Sequence, residues 1–273
     1  IDMDVFDQET KTMIGEKTDE AFATFICEGI GTYENRLYKA ATKIVTYAEL
    51  FENERKIEDE FMMKVQEITN SLNAYFDIPG VKEFSNPESK LFKLIRKFMK
   101  LRYQDRWQTR IRNQGCPVLR HLFDTAVCAY FMHLELHPDD ELTATKMFFM
   151  GIFHDVAETW TKDIPSPVKD RIKGFRKATE EYEQQEVEEN FYNVLPNYLV
   201  RAVKEVMMED EQNAHHKRFL KGADYISADM ECWRLFRAGS KDEYYADVFQ
   251  RRTEDFASGK SFITPLFKEL FDE

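Results

Sequence analysis

Apolar residues recur at helical spacing along nearly the whole chain, and no run alternates apolar with polar as a half-buried strand would. That pattern predicts an all-α fold. Glycine and proline are scarce, 10 and 8 among 273 residues, which disfavours a turn-rich β architecture. Residues 119–137, LRHLFDTAVCAYFMHLELH, predict one helix that Pro138 stops. Residues 143–155 predict the next, residues 180–195 an acidic amphipathic one, and Pro196 starts a run that lasts through Val206. Residues 216–237 predict a long buried helix. Turn formers concentrate at Asp77–Pro87, predicting a boundary between a helical N-terminal region, 1–80, and a larger domain, 96–273.

The N-terminal region carries an internal echo. LYKAATKIVTYAELF, residues 37–51, parallels FLKGADYISADMECW, residues 219–233, so that Lys39 falls on Lys221, Ala41 on Ala223, Ile44 on Ile226 and Glu49 on Glu231. Thr42 falls on Asp224. The N-terminal region then reads as half of a degenerate copy of the larger domain, packed as a structural, regulatory or dimerisation surface. The alternative is two unrelated amphipathic helices with chance identities.

Composition narrows the partners. A net charge of −12 argues against binding a nucleic-acid backbone. No stretch approaches the length of a membrane span, so no membrane partner is expected. The four cysteines show no CxxC spacing; Cys128 and Cys232 sit in apolar helical patterns as buried thiols, which suits a reducing cytoplasm. The chain opens at Ile1, as a piece of a longer protein would. Arg106, Arg110, Arg112 and Arg120 form a local basic cluster able to take an anionic substrate.

The residues that suggest chemistry begin with the adjacent pair His154-Asp155 in GIFHDVAETWTKDIPSPVK. An imidazole beside a carboxylate offers two ligands of different hardness to one divalent cation, and Glu158 could handle protons beside it. Taken alone, the dipeptide is more simply a helix end with His154 capping or packing and Asp155 solvated. Context favours the cation. The preceding TATKMFFMGIF reads as a buried helix, and ionisable groups at its end are costly unless paired or coordinated. Asp224 raises the same problem among Leu220, Ala223, Ile226 and Ala228, and His121 supplies another ligand on a neighbouring helix. His133, His137, His215 and His216 read as ordinary surface residues near helix ends.

The order His121…His154-Asp155…Asp224 resembles that of the HD-domain metal-dependent phosphohydrolase superfamily, an all-α helical bundle. HDVAETWTKDIPSPVK, with Arg106-Trp107 upstream of His121, is most similar to the bacterial HD-domain 5′-deoxynucleotidases over about residues 100–250. The resemblance implies that His121, His154, Asp155 and Asp224 hold one divalent ion, which mixed N/O ligation leaves open among Mn, Co, Fe, Zn and Ni. It implies that Glu158 orients or deprotonates the attacking water, beside Asp155. It further implies that Arg106 grips the phosphate while Trp107 and Asp163 contact the nucleoside. Such a set leaves positions open for water and a phosphate oxygen, and an arginine fork suits phosphate geometry. On the residues alone, Trp107 could equally be a core aromatic and Asp163 a cap on the turn at Ile164-Pro165. Arg120 and Leu122 depart from the family, which carries an acidic residue before the first histidine and a small hydroxyl residue after it.

The expected activity is removal of the 5′-phosphate from (deoxy)nucleoside monophosphates, with a small phosphorylated substrate, most simply a nucleotide, and a homodimer as an open assembly. The alternatives are an alarmone or nucleotide pyrophosphohydrolase, which usually carries a second acid where this chain has Thr159, and a non-catalytic nucleotide-sensing module.

Overall fold

The computed structural model describes residues 32–52, 58–162, 164, 166–207, 214–248 and 250, and no strand occurs among them. The chain divides into two compact units, Ile1–Arg96 and Lys97–Glu273. In the first unit, α1 (Tyr33–Leu50) and α2 (Glu58–Leu72) pack through Ala40, Ile44 and Leu72. The Thr32 hydroxyl accepts from the Asn35 amide and so caps the start of α1. Turn formers were expected to mark a boundary at Asp77–Pro87, but that segment lies inside the first unit. Gly80 takes a left-handed turn (φ 87°), and Ile78 and Val81 on either side of it are buried in the unit's core. The division falls later, within α3 (Lys90–Met99).

The second unit is built around α4 (Val118–Leu136), α5 (Glu141–Phe153) and α8 (Ala214–Arg237), with α6 (Phe175–Val187) and α7 (Asn197–Met207) between the last two in sequence. Ala129 and Met132 from α4, Met147 and Met150 from α5, and Phe219, Ala223 and Ile226 from α8 form its main core. Full burial of such large apolar side chains is worth about 1.5–3 kcal/mol each. The expected helices are present, with shifted ends. Asp140 caps α5 by accepting from the Thr143 amide, so the helix starts at Glu141 and stops at Phe153, leaving His154 and Asp155 just past its end. The expected acidic helix starts earlier, at Phe175, and loosens into a π-turn over Glu188–Tyr192.

One close approach sets the spacing of the two helices that carry the histidines. A Cβ added to Gly151 on α5 would collide with the backbone of Ala126 on α4. Only glycine lets the helices come this near, and the contact lies five residues beyond His121 and three before His154. Burial of His133 corrects the expectation of a surface residue. Its Nε2 lies 3.3 Å from an oxygen of Asp140, the cap of α5, so it staples the end of α4 to the start of α5. Cys232 is buried as expected, whereas Cys128 is half-buried; Cys27 lies outside the described residues. No helix among the described residues is long and apolar enough to cross a membrane.

Candidate metal centre

The last turn of α5, the first turns of α4 and the middle of α8 meet at one place. Ligand atoms of His121, His154 and Asp155 lie within 4.8 Å of one another. The Oδ1 of Asp224 lies 3.1 Å from His121 Nε2. All four residues expected as ligands are thus brought together. The His121 side chain is 1% exposed, His154 11%, Asp224 16% and Asp155 39%, so the cluster opens to solvent on the Asp155 side.

The ring nitrogens facing away from the cluster are each held by a neighbour. His154 Nδ1 lies 2.8 Å from the carbonyl oxygen of Gly151, which can only accept, so Nδ1 carries a proton and Nε2 faces the cluster. His121 Nδ1 lies 3.0 Å from the hydroxyl of Ser227, which also lies 3.4 Å from the His121 carbonyl oxygen. His121 Nε2, on the other edge of the ring, faces Asp224. Both Nε2 atoms are buried and lack a hydrogen-bond partner among the described residues. Each nonetheless sits 3.1 Å from a carboxylate oxygen, His154 from Asp155 and His121 from Asp224. Lone pair against lone pair at that distance is repulsive unless a second proton or a cation lies between.

The electrostatics differ at the two histidines. Burial pushes the His121 imidazole to titrate lower than usual, and the nearby Arg106 charge adds to this, so a second proton is disfavoured there. Burial also acts on His154, but the Asp155 carboxylate outweighs it and raises the imidazole. Burial opposes ionisation of both carboxyls, yet His154 holds Asp155 down and His121, His154 and Lys221 hold Asp224 below the usual carboxylate range. Lys221 Nζ takes the other oxygen of Asp224 at 2.6 Å and so aims Oδ1 at the histidines. Two buried imidazole nitrogens facing two carboxyl groups held below the usual range suit a divalent cation with mixed N/O ligation.

Glu158, half-buried, opens the short helical turn Glu158–Thr161 three residues beyond Asp155. Trp160 of that turn packs on Phe98, which also packs on Phe191, and Phe191 in turn packs on Phe153 at the end of α5. This aromatic chain ties the turn to the helix that delivers His154. Lys162 then takes φ 64° and ends the turn; Asp163 and Pro165 lie outside the described residues.

Arg106 and Trp107 approach from another side, on a strap tied by a bridge between Asp105 and Pro117. The Arg106 amide donates to the Cys116 carbonyl at 2.8 Å. Trp107 has φ 60°, a left-handed conformation that is an outlier for a bulky residue. Its indole N–H donates to Glu231 at 2.9 Å and its ring packs against Tyr244 and Tyr245. Sequence reasoning missed Glu231 and Ser227. Both lie on the face of α8 that carries Asp224, Ser227 three and Glu231 seven residues further on, and that stripe is visible in the sequence once Asp224 is taken as a ligand.

The family model described as 5′-deoxynucleotidase YfbR-like matches residues 90–271. The chain belongs to that family. As a YfbR-like protein it is a hydrolase. It is similar to a 5′-deoxynucleotidase of Shewanella oneidensis, 30% identical over 104 residues that cover 37% of this chain and 51% of the relative. A 5′-deoxynucleotidase of Erwinia tasmaniensis is 23% identical over 186 residues, 64% of this chain and 91% of the relative. An HD-domain phosphohydrolase from Listeria innocua shares the fold, with TM-score 0.53 and 15% identity, covering 66% of this chain and 86% of that structure.

Proposed function

We propose that this YfbR-like chain removes the phosphate from (deoxy)nucleoside 5′-monophosphates, with one divalent ion held by His121, His154, Asp155 and Asp224. The observation that carries the reading is the pair of buried imidazole Nε2 atoms, each set against a carboxylate oxygen at 3.1 Å. An ion bound there would supply Lewis acidity to the phosphate and to the attacking water. Asp155, the most open of the four, is where the substrate phosphate enters. Glu158 takes the proton from the attacking water, three residues beyond the ligand it serves. Arg106 is close enough to His121 for its charge to depress the imidazole, so its guanidinium can meet phosphate oxygens beside the ion. Trp107 packs beside the sugar or base, and Asp163 accepts from a sugar hydroxyl.

Metal content and turnover of a phosphate-ester panel test this. The reading predicts one Mn, Co, Fe, Zn or Ni per chain and turnover of nucleoside 5′-monophosphates above 3′-monophosphates and diphosphate esters. Release of pyrophosphate, or a bound metal without turnover of any ester, would contradict it.

A further inference from the structure

The residues expected to meet substrate, Arg106 and Trp107, are not held by their own strap alone. They converge on a carboxyl group from α8. Glu231 is 2% exposed, and its Oε2 accepts from the indole N–H of Trp107 at 2.9 Å and lies 3.3 Å from the Arg106 guanidinium. Its other oxygen is 3.8 Å from His121 Nδ1. One buried side chain thus touches both expected substrate residues and reaches toward a histidine of the metal cluster. It stands seven residues beyond Asp224, two helical turns along the same face, so α8 fixes its distance from the cluster.

This arrangement does work that a packed apolar residue could not. Trp107 is bulky and left-handed, a conformation that persists only where surrounding contacts over-determine it. The indole hydrogen bond to Glu231 is such a contact. The same carboxyl group keeps a long, flexible arginine side chain in one place before any phosphate arrives, which lowers the ordering cost of binding. We propose that Glu231 is the positioning residue for phosphate capture: it holds Arg106, through charge, and Trp107, through a hydrogen bond, at a fixed offset from the metal ligands of α8. The proposal rests on the phosphohydrolase reading above and adds to it the residue that sets substrate affinity.

The experiment compares wild type with Glu231→Gln, Glu231→Asp, Trp107→Phe and the Glu231→Gln/Trp107→Phe double variant. It measures metal content, kcat and KM on the best phosphate ester of the panel, and competitive inhibition by inorganic phosphate. Glu231→Gln keeps size and one acceptor but loses the charge on Arg106. It is expected to raise KM and the phosphate inhibition constant together by roughly tenfold, the loss of about one charged contact, with kcat and metal content near wild type. Glu231→Asp should recover part of that loss. Trp107→Phe should raise KM less, and the double variant should raise it by less than the product of the two single effects, because the two residues act through one contact. Wild-type KM and phosphate inhibition in Glu231→Gln would overturn the proposal. So would loss of metal in that variant, or single effects that multiply independently. Trp107→Phe remains informative if Glu231→Gln fails to fold. A preferred ester that is not a nucleotide would sink the substrate reading while leaving this test intact; a wild-type protein that neither turns over an ester nor binds phosphate would sink both.

Discussion

Helices α1 and α8 share a sequence pattern and differ in how many faces they bury. On α1, Ala40, Ile44, Tyr47 and Ala48 are buried along one side, and Thr42 lies exposed on the other. The Thr42 hydroxyl donates to the carbonyl of Tyr38 one turn back, a contact any exposed helical threonine can make. On α8, Phe219, Ala223 and Ile226 enter the main core while Asp224, Ser227 and Glu231 face His121, and Cys232 and Leu235 join a further cluster. Ile44 and Ile226 are buried alike. The polar position between the shared residues, Thr42 on α1 and Asp224 on α8, is what separates the helices. On a one-sided helix it faces water and needs no partner, whereas on a helix buried on several faces it must be paired or coordinated. On α8 that position joins the histidine cluster, whereas on α1 it faces water.

Substitutions can break or sharpen that contrast. The largest effect is expected from Asp155→Ala, which removes the carboxylate opposite His154: both bound metal, by elemental analysis, and turnover should disappear. Glu158→Ala should keep the metal and lose about 10²–10⁴-fold in kcat, the usual scale of general acid–base help; undiminished turnover would assign the proton elsewhere. Ser227→Ala removes the partner of His121 Nδ1 and should weaken metal affinity by about 10–100-fold in a competitive chelator titration. Acid should weaken the metal as well. Asp155 raises the His154 imidazole in the metal-free protein, so a proton competes for the same lone pair; apparent affinity should fall as the pH drops through and below neutrality. Metal affinity independent of pH there would contradict a histidine ligand. The smallest effect belongs to the other helix. Thr42→Ala should shift stability by less than about 0.5 kcal/mol in denaturant unfolding and leave metal content unchanged.

Much of the second unit was legible because its signals are local. Pro138 ends α4, Asp140 starts α5, and buried charge at His154, Asp155 and Asp224 pointed to a shared cluster that the structure assembles. The failures came from interactions distant in sequence. His133 reads as a surface residue near a helix end, and only the fold shows that α5 starts against it. Asp77–Pro87 has the composition of a linker, yet Ile78 and Val81 beside its left-handed Gly80 are core residues. Glu231 reads as one more acid on an acidic chain, because its partners Arg106 and Trp107 lie more than a hundred residues upstream. Gly151 carries no local signal at all; its meaning is the nearness of Ala126.

The central claim is that one divalent ion sits between the imidazole lone pairs of His121 and His154 and the carboxylates of Asp155 and Asp224. Anomalous scattering from crystals grown with Mn²⁺ tests it most directly. The account predicts a single strong peak per chain within coordination distance of both Nε2 atoms, about 2.0–2.3 Å away, and its loss in Asp155→Ala. A peak elsewhere, or none in crystals of protein that still hydrolyses phosphate esters in the presence of a chelator, would contradict it.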